Sequence, residues 1–131
     1  EEFANDERYP FAEEIHSCSV SNFFESDGGK SISRFTDILI LGHDWGVDQE
    51  FLIGCLKKSV DEDVRIGVIG STTKWRGFRE AAKAAGVGEG ELSNARCPIG
   101  LDIGADSPEE IAVAICAEIL AMHRLPDADE D

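Results

Sequence analysis

The sequence predicts an α/β domain built on a parallel sheet, and two apolar runs carry this prediction. Residues 38–41 are all Ile or Leu, which is typical of a strand that helices cover on both faces. Residues 65–69 form a second, largely apolar run, and both runs end at a glycine. The order strand, helix, strand, helix, extended segment, helix predicts a layered fold with right-handed crossovers.

The N-terminal quarter has weaker signals. Residues 1–14 predict an irregular lead-in, and residues 15–20 a short strand. The sequence Ser-Asp-Gly-Gly-Lys at 26–30 is typical of a turn. Residues 31–35 predict a brief helical turn.

Two helices follow the two strands, because apolar residues recur there at the spacing of one helical face. The first is predicted over 47–59, and a loop over 61–63 leads to the second strand. The second helix is predicted over 72–85, with Gly86 as its left-handed stop. Residues 89–95 predict a short helical turn. The residues predicted to face inward are Val47, Phe51, Leu52, Cys55, Leu56 and Val60 in the first helix, and Trp75, Phe78, Ala82 and Ala85 in the second.

The last helix has the clearest start signal. Residues 107–110, Ser-Pro-Glu-Glu, predict a capping box with proline at the first helical position. The helix should end near Arg124, and Glu118, which interrupts its apolar stripe, should mark the solvent-facing margin. We expect one domain over 1–126 and an acidic tail over 127–131. The predicted buried stripe is Ile111, Ala114, Ile115, Ile119 and Met122.

The charge balance limits the class of partner. The 131 residues include 27 acidic and 12 basic ones, for a net charge of -15 and a pI near 4.4. Nucleic acid and anionic membrane are disfavoured as partners, because both need a basic surface. We interpret the excess as a solvated acidic surface adapted to high salt, where ions screen the self-repulsion. No apolar run is long enough to span a membrane.

The cysteines and the N-terminus indicate a cytoplasmic protein. The sequence begins Glu-Glu-Phe without a basic, apolar leader, so we expect no signal peptide and a chain that belongs to a longer protein. Its cysteines form neither a Cys-x-x-Cys pair nor a zinc-like pattern, which predicts reduced thiols. They are Cys18, Cys55, Cys97 and Cys116.

The first candidate site follows the first strand. His43 and Asp44 lie at its carboxyl end, where open α/β sheets bind ligands. Imidazole beside carboxylates suits acid-base or metal chemistry. Asp48 is either a partner of the imidazole or a first-turn charge that stabilises its helix. The sequence identifies no third metal ligand, and we expect His16 and His123 at the surface.

The second candidate is the glycine-rich turn over residues 67–74, Gly-Val-Ile-Gly-Ser-Thr-Thr-Lys. At a helix N-terminus, Gly70, Ser71 and Lys74 would bind an anion through backbone N–H groups, a hydroxyl and an ammonium. The spacing is neither that of a Walker P-loop nor Gly-x-Gly-x-x-Gly. The alternative is that Gly67 and Gly70 only permit close packing and that a hydroxyl caps the helix.

The third candidate is the segment 97–105, Cys-Pro-Ile-Gly-Leu-Asp-Ile-Gly-Ala. Gly100 and Gly104 surround Asp102, and such glycines indicate close approach of the backbone to another backbone or to a ligand. Cys97 is either a sulfur-handling thiol or a small hydrophobic residue.

Together these motifs resemble one family. Residues 67–71 with Lys74, residues 98–105, and Ser-Pro-Glu-Glu-Ile-Ala at 107–112 with Ala-Glu-Ile at 117–119 closely resemble the C-terminal Rossmann-like domain of the xanthine dehydrogenase accessory factor family, XdhC/CoxI. Leu-Gly-His-Asp at 41–44, with Asp48, resembles the family's strand, histidine and aspartate segment. The resemblance covers about residues 3–123.

The resemblance implies a cytoplasmic chaperone, an accessory factor more than a catalyst. It would bind molybdenum cofactor, promote its sulfuration with a cysteine desulfurase, and deliver it to a xanthine-dehydrogenase-type hydroxylase. No catalytic residue and no metal ligand is assigned. The implied cofactor-binding residues are His43, Asp44, Gly70, Ser71, Lys74, Gly100 and Asp102.

The sequence departs from the family at its start. The family's domain opens with a βαβ unit that carries Gly-x-Gly and an acidic residue, and neither occurs here. We therefore expect a three-layer Rossmann-like sheet truncated at its N-terminal side, and NAD(P) or another nucleotide is disfavoured as cofactor. The alternative functions are a Rossmann-like remnant that dimerises or docks a partner, and a nucleotide-dependent oxidoreductase.

An open strand edge predicts a homodimer, because folded proteins cover such edges. We expect the interface near the strand at 36–41 or at 15–20, with Phe23, Phe24 and Phe35 contributing.

Overall fold

The computed structural model describes residues 7–30, 32–58 and 64–125. Within these ranges three strands form one open parallel sheet in the order β1-β2-β3. They are β1 (Asp37–Ile40), β2 (Arg65–Val68) and β3 (Ala95–Arg96). In the register, Asp37 lies opposite Arg65, and Ile40 opposite Val68. The predicted parallel α/β architecture is confirmed.

The first layer of helices covers one face of this sheet. Helix α3 (Trp45–Lys58) follows β1, and helix α4 (Thr72–Ala84) follows β2. Since side chains alternate along a strand, Ile40, Ile66 and Val68 all point to this face. They are buried there in one cluster with residues from both helices. The buried helix members are Leu52, Cys55 and Leu56 of α3, and Phe78 and Ala82 of α4.

The other face is covered by α6 (Pro108–Arg124), which has the predicted capping box, proline and C-terminal end. Gly67 of β2 points to this face, and a Cβ atom there would lie 2.8 Å from Cγ1 of Ile99. At the far end of the helix, His123 Nε2 lies 2.9 Å from Oδ2 of Asp37 in β1. The sheet is therefore the middle of three layers.

The N-terminal part differs from its prediction. No strand forms within 15–20; instead Val20 begins helix α1 (Val20–Glu25). A single helical turn, α2 (Asp27–Lys30), replaces the predicted turn, while the 3-10 helix Ile32–Arg34 is confirmed. The physical reason is tertiary: two aromatic side chains of α1 pack on α3.

These aromatics are Phe23 and Phe24, whose ring centroids lie 5.6 and 5.3 Å from that of Phe51. Both are half-buried against the core, so this packing occupies side chains that the sequence assigned to a dimer interface. Phe35 is 45% exposed.

Helix boundaries and faces need smaller corrections. Helix α3 begins at Trp45 rather than Val47, and Val47 is exposed. At the end of α4, Ala85 is exposed, whereas Gly86 has the predicted left-handed conformation, with φ of 95°. The predicted turn at 89–95 divides into helix α5 (Glu89–Leu92) and the start of β3.

Several sequence predictions fall wholly or partly outside the described residues. They concern residues 1–6 of the lead-in, residue 31 of the helical turn, residue 59 of the first helix, the inward position of Val60, the loop at 61–63 and the acidic tail at 127–131. Among the helices in the described ranges, none is long and apolar enough to cross a membrane.

Candidate functional site

The carboxyl ends of β1 and β2 lie side by side. The N–H group of Ile69 donates a hydrogen bond to the carbonyl of Ile40, with an N···O distance of 3.0 Å. Because the two strands are parallel, the segments 41–44 and 69–71 leave the sheet at the same edge. The structure therefore places the segments that contain His43 and Ser71 at the same edge of the sheet, as the sequence predicts.

At the first of these ends, Asp44 has a defined structural role. Its Oδ1 accepts hydrogen bonds from the N–H groups of Gly46 and Val47 at 3.0 and 3.2 Å. It is thus the N-cap of α3, and its carboxylate already satisfies the donors that would otherwise attract an anion. His43 is exposed, and no described residue hydrogen-bonds its ring.

Asp48 and Lys74 pair beneath this edge instead of facing it. The Lys74 Nζ atom lies 3.1 Å from Oδ2 of Asp48 and 2.9 Å from the carbonyl oxygen of Ile69. The two side chains are only 4% and 6% exposed, for Lys74 and Asp48 respectively. In this arrangement the Lys74 ammonium is bound by protein groups, and Asp48 pairs with Lys74 instead of His43.

Two glycines make room for this pair. A Cβ atom at Gly42 would lie 2.3 Å from Oδ1 of Asp48, and one at Gly70 would lie 2.5 Å from Cδ of Lys74. Gly70 also has a φ of +153°, which favours glycine. Close packing explains both glycines, and for Gly70 it is the alternative that the sequence left open for the glycine-rich turn.

The start of α4 has donors for an anion. Ser71 is its N-cap, and the Ser71 Oγ accepts the N–H of Lys74 at 3.1 Å. The N–H groups of Thr72 and Thr73 have no carbonyl partner within the helix, because they belong to its first turn. Both threonines are exposed. The positive end of the helix dipole adds to their attraction for an anion.

A shallow cleft of about 300 Å³ continues from this first turn along the outer face of α4. It is lined by Thr72, Trp75, Arg76, Arg79, Glu80 and Lys83. The exposed Arg76 places a cation one turn from the helix start. The surface beside the first turn is thus less acidic than the composition of the chain implies.

The third candidate segment lies against α6. The N–H of Ile99 donates to the carbonyl of Val68 at 3.0 Å, which keeps the segment at the carboxyl edge of β2. The N–H of Leu101 then donates to the carbonyl of Ala114 at 3.1 Å. A groove of about 370 Å³ runs along residues 98–105, so it includes Gly100 and Asp102, and Asp102 is exposed.

Glu118 fixes this segment and is wrongly predicted at the solvent margin, since it is only 4% exposed. Its Oε1 accepts the N–H of Gly100 at 2.8 Å, and Gly100 has a φ of +121°. Its Oε2 is buried against Nε of Arg96, an ion-pair contact that lacks hydrogen-bond geometry. The signal in the sequence is an acidic residue inside an apolar helical stripe. Such a residue can be a buried hydrogen-bond acceptor as well as a mark of the solvent-facing margin of the stripe.

Cys97 lies between the two parts of the site, and its Sγ is 3.8 Å from the carbonyl oxygen of Ser71. Burial raises the pKa of the Cys97 thiol, and the charge of Lys74 offsets only part of that rise. A raised pKa disfavours the reactive thiolate. This environment favours the interpretation of Cys97 as a small hydrophobic residue.

One relative is the protein named "Uncharacterized protein YqeB" of Escherichia coli (strain K12), which is 33% identical over 66 residues. This match covers 50% of the chain and 12% of YqeB, so the chain spans far less than the length of this relative. A family model described as the XdhC Rossmann domain matches residues 1–119. The resemblance seen in the motifs is confirmed, and the chain belongs to the XdhC Rossmann domain family.

Proposed function

We propose that this chain is the cofactor-binding part of a cytoplasmic accessory protein that binds molybdenum cofactor and delivers it to a xanthine-dehydrogenase-type hydroxylase. A cysteine desulfurase would be the second partner, as the source of sulfur. The observation that carries the proposal is the first turn of α4, where the N–H groups of Thr72 and Thr73 have no acceptor within the helix. This turn follows a strand end in a chain that belongs to the XdhC Rossmann domain family.

The phosphate end of the cofactor fits the start of α4. A phosphate group accepts hydrogen bonds from backbone N–H groups at a helix N-terminus, and the Ser71 hydroxyl keeps its own proton to donate. The start of α3 does not fit an anion, since the Asp44 carboxylate already occupies its donors. We therefore assign the phosphate to the start of α4. The Lys74 ammonium, which Asp48 and the Ile69 carbonyl bind, would not contact the phosphate directly.

The pterin end would extend from α4 toward the 98–105 groove. His43 and Asp102 are both exposed, and both have polar atoms that could bind the heterocycle. Glu118 acts only through Gly100, because its carboxylate lies beneath the loop. The bound cofactor would supply the molybdenum centre, and the chain's own residues would bind and orient it.

A binding titration with isolated molybdenum cofactor tests the proposal. Quenching of Trp45, which begins α3 beside the strand ends, is a suitable signal. Thr73→Asp places a carboxylate beside the N–H groups that would bind the phosphate. A negative charge at this position also interacts favourably with the helix dipole, so the variant should fold. We expect this variant to weaken binding about tenfold or more, equivalent to about 1.4 kcal/mol.

Gly77→Asp is the matched control. It adds the same charge to the same helix at a position where a Cβ meets nothing within 4 Å, so its affinity should stay near that of the wild type. Equal weakening by both variants, or wild-type binding too weak to saturate, would contradict the proposal. Saturable binding of NAD(P) without any binding of molybdenum cofactor would favour the oxidoreductase alternative.

A further inference from the structure

Helix α6 holds the 98–105 segment at two points that are one helical turn apart. The N–H of Gly100 donates to Oε1 of Glu118 at 2.8 Å, and the N–H of Leu101 donates to the carbonyl of Ala114 at 3.1 Å. Ala114 and Glu118 lie on the same face of the helix, because residues at this spacing are neighbours on a helix surface. Both are buried. Two consecutive backbone N–H groups of the segment therefore dock it on α6.

Docking at these two points also fixes the residue that follows. The N–H of Ile103 donates to the carbonyl of Leu101 at 2.9 Å, which closes a three-residue turn with Asp102 at its centre. Asp102 is exposed and lines the groove along residues 98–105. The position of Asp102 thus depends on Leu101 and, through Gly100, on Glu118.

Gly100 lets the backbone turn against the helix. Its φ of +121° favours glycine. A Cβ atom at this position would lie 3.4 Å from Cβ of Ala114. The residue that Glu118 binds is therefore the one at which the segment lies against α6.

Stability alone is a weak reason for the Glu118 carboxylate. Burying a carboxylate costs free energy, and a partner offsets this cost only where the geometry is good. The partner is Arg96, whose side chain is 52% exposed. Among the residues that the structure describes, none donates a hydrogen bond to the buried Oε2 of Glu118. The well-formed hydrogen bond is that of Oε1, and its donor belongs to the groove segment.

We infer that Glu118 is a positioning residue for the ligand of this groove, and that it acts through the reach of its Oε1 acceptor rather than through its charge. The inference rests on the proposed function, in which the groove receives the pterin end of molybdenum cofactor. Glu118 holds Gly100, the docked segment holds the turn at Asp102, and Asp102 contacts the heterocycle.

Two substitutions separate reach from charge. Glu118→Gln keeps the length of the side chain and an acceptor oxygen for Gly100, and the half-exposed Arg96 can turn to water. Glu118→Asp keeps the charge but is one methylene shorter, so its carboxylate falls short of the Gly100 N–H. Glu109→Asp is the matched control, because it makes the same change at an exposed position of the same helix.

Amide hydrogen exchange, followed by NMR, tests the contact without any ligand. Protection of the Gly100 amide should fall at least about tenfold in Glu118→Asp and stay near the wild-type value in Glu118→Gln and Glu109→Asp. The Ile99 amide, which donates to the carbonyl of Val68 in β2, should stay protected in every variant. Wild-type protection of Gly100 in Glu118→Asp would overturn the inference. An equal loss at Ile99, or an equal loss in Glu118→Gln, would overturn it as well.

Titrations with two probes test the effect on the ligand. Affinity for isolated molybdenum cofactor should fall at least about fivefold in Glu118→Asp and stay near that of the wild type in Glu118→Gln. Affinity for inorganic phosphate, followed at the Thr73 amide, should be the same in all variants, because this probe needs only the start of α4. Equal losses for both probes would contradict a role in the groove.

A wild type that binds no molybdenum cofactor would refute the proposed function, and the exchange comparison would still decide whether Glu118 holds the segment. Should Glu118→Asp fail to fold by circular dichroism, exchange of the wild type decides instead. Its Gly100 amide should exchange far more slowly than that of Asp102, for which the described residues provide no hydrogen-bond acceptor. Equal exchange at the two amides would overturn the inference.

Discussion

The Lys74 ammonium lies 3.1 Å from Oδ2 of Asp48, in a pair that is almost completely removed from solvent. Asp48 belongs to the first turn of α3 and Lys74 to the first turn of α4. The pair therefore joins the two helix starts directly beneath the candidate cofactor site. The carbonyl of Ile69 accepts a second hydrogen bond from the ammonium, so the strand end is fixed by the same group.

Lys74→Met should strongly destabilise the domain. Methionine keeps the apolar stem of the side chain but leaves the Asp48 carboxylate buried without a counter-ion, which costs about 3–5 kcal/mol. Urea unfolding measures the loss. Lys83→Met on the same helix is the control, because its ion pair with Glu89 is exposed and such pairs contribute about 0–1 kcal/mol.

The double variant Asp48→Asn with Lys74→Met should lose less stability than the two single losses added together, since neither buried charge remains. Strict additivity would contradict a direct interaction between the two side chains.

Because of Asp37, the folding stability of the domain should depend on pH in the acidic range. Burial by itself raises the pKa of Asp37, but hydrogen bonds from Arg65, His123 and Thr36 outweigh it and lower the pKa from 3.8 to about 2. The folded state thus holds the ionised form. Its contribution to stability is complete above the unfolded pKa and is lost as the pH falls through about 2.

Urea midpoints measured across the acid range test this expectation. Asp37→Asn should be less stable than the wild type above pH 3.8, and the difference should shrink as the pH falls toward 2. A constant difference between wild type and Asp37→Asn would contradict the assignment.

The four cysteines should react at different rates with iodoacetamide. Cys18 and Cys116 are exposed and should be alkylated first. Burial raises the pKa of Cys55 to about 12, so it should react only after unfolding, because the thiolate is the reactive form. Cys97 should react more slowly than the two exposed thiols, since burial raises its pKa. Mass spectrometry of the peptides over time gives the order, and early labelling of Cys55 would contradict the described core.

Salt should stabilise the domain. Exposed pairs such as Arg34–Glu14 and Lys83–Glu89 neutralise part of the acidic surface, but 27 acidic residues face only 12 basic ones. Molar potassium chloride should raise the thermal midpoint by about 4 °C or more, which is about 1 kcal/mol for a domain of this size. Sucrose is the control for a general solute effect. A midpoint that potassium chloride leaves unchanged would mean that local pairing already balances the charge.

Much of the fold is local and was accessible from the sequence. The apolar runs at 38–41 and 65–69 predicted both long strands, and the capping box at Ser107 predicted the start of α6. The same patterns placed His43 and Ser71 at neighbouring strand ends. Each of these signals lies within a few residues of the element that it predicts.

The N-terminal helices were not accessible in this way. The run at 15–20 is short enough to suit a strand, and the choice of helix depends on packing between Phe24 and Phe51, which are far apart in the sequence. The same holds for β3, whose two residues are defined only by their pairing with β2.

The sequence by itself determined the order of β1, α3, β2, α4 and α6, the capping box of α6, and the edge of the sheet at which the candidate site lies. Only the tertiary structure decided what the charged residues of that site do. Lys74 and Asp48 are 26 residues apart, and Glu118 and Gly100 are 18 apart. Residue type and local spacing can indicate that a charge lies near a strand end, but burial and the partner it meets there arise from long-range packing, which no local pattern records.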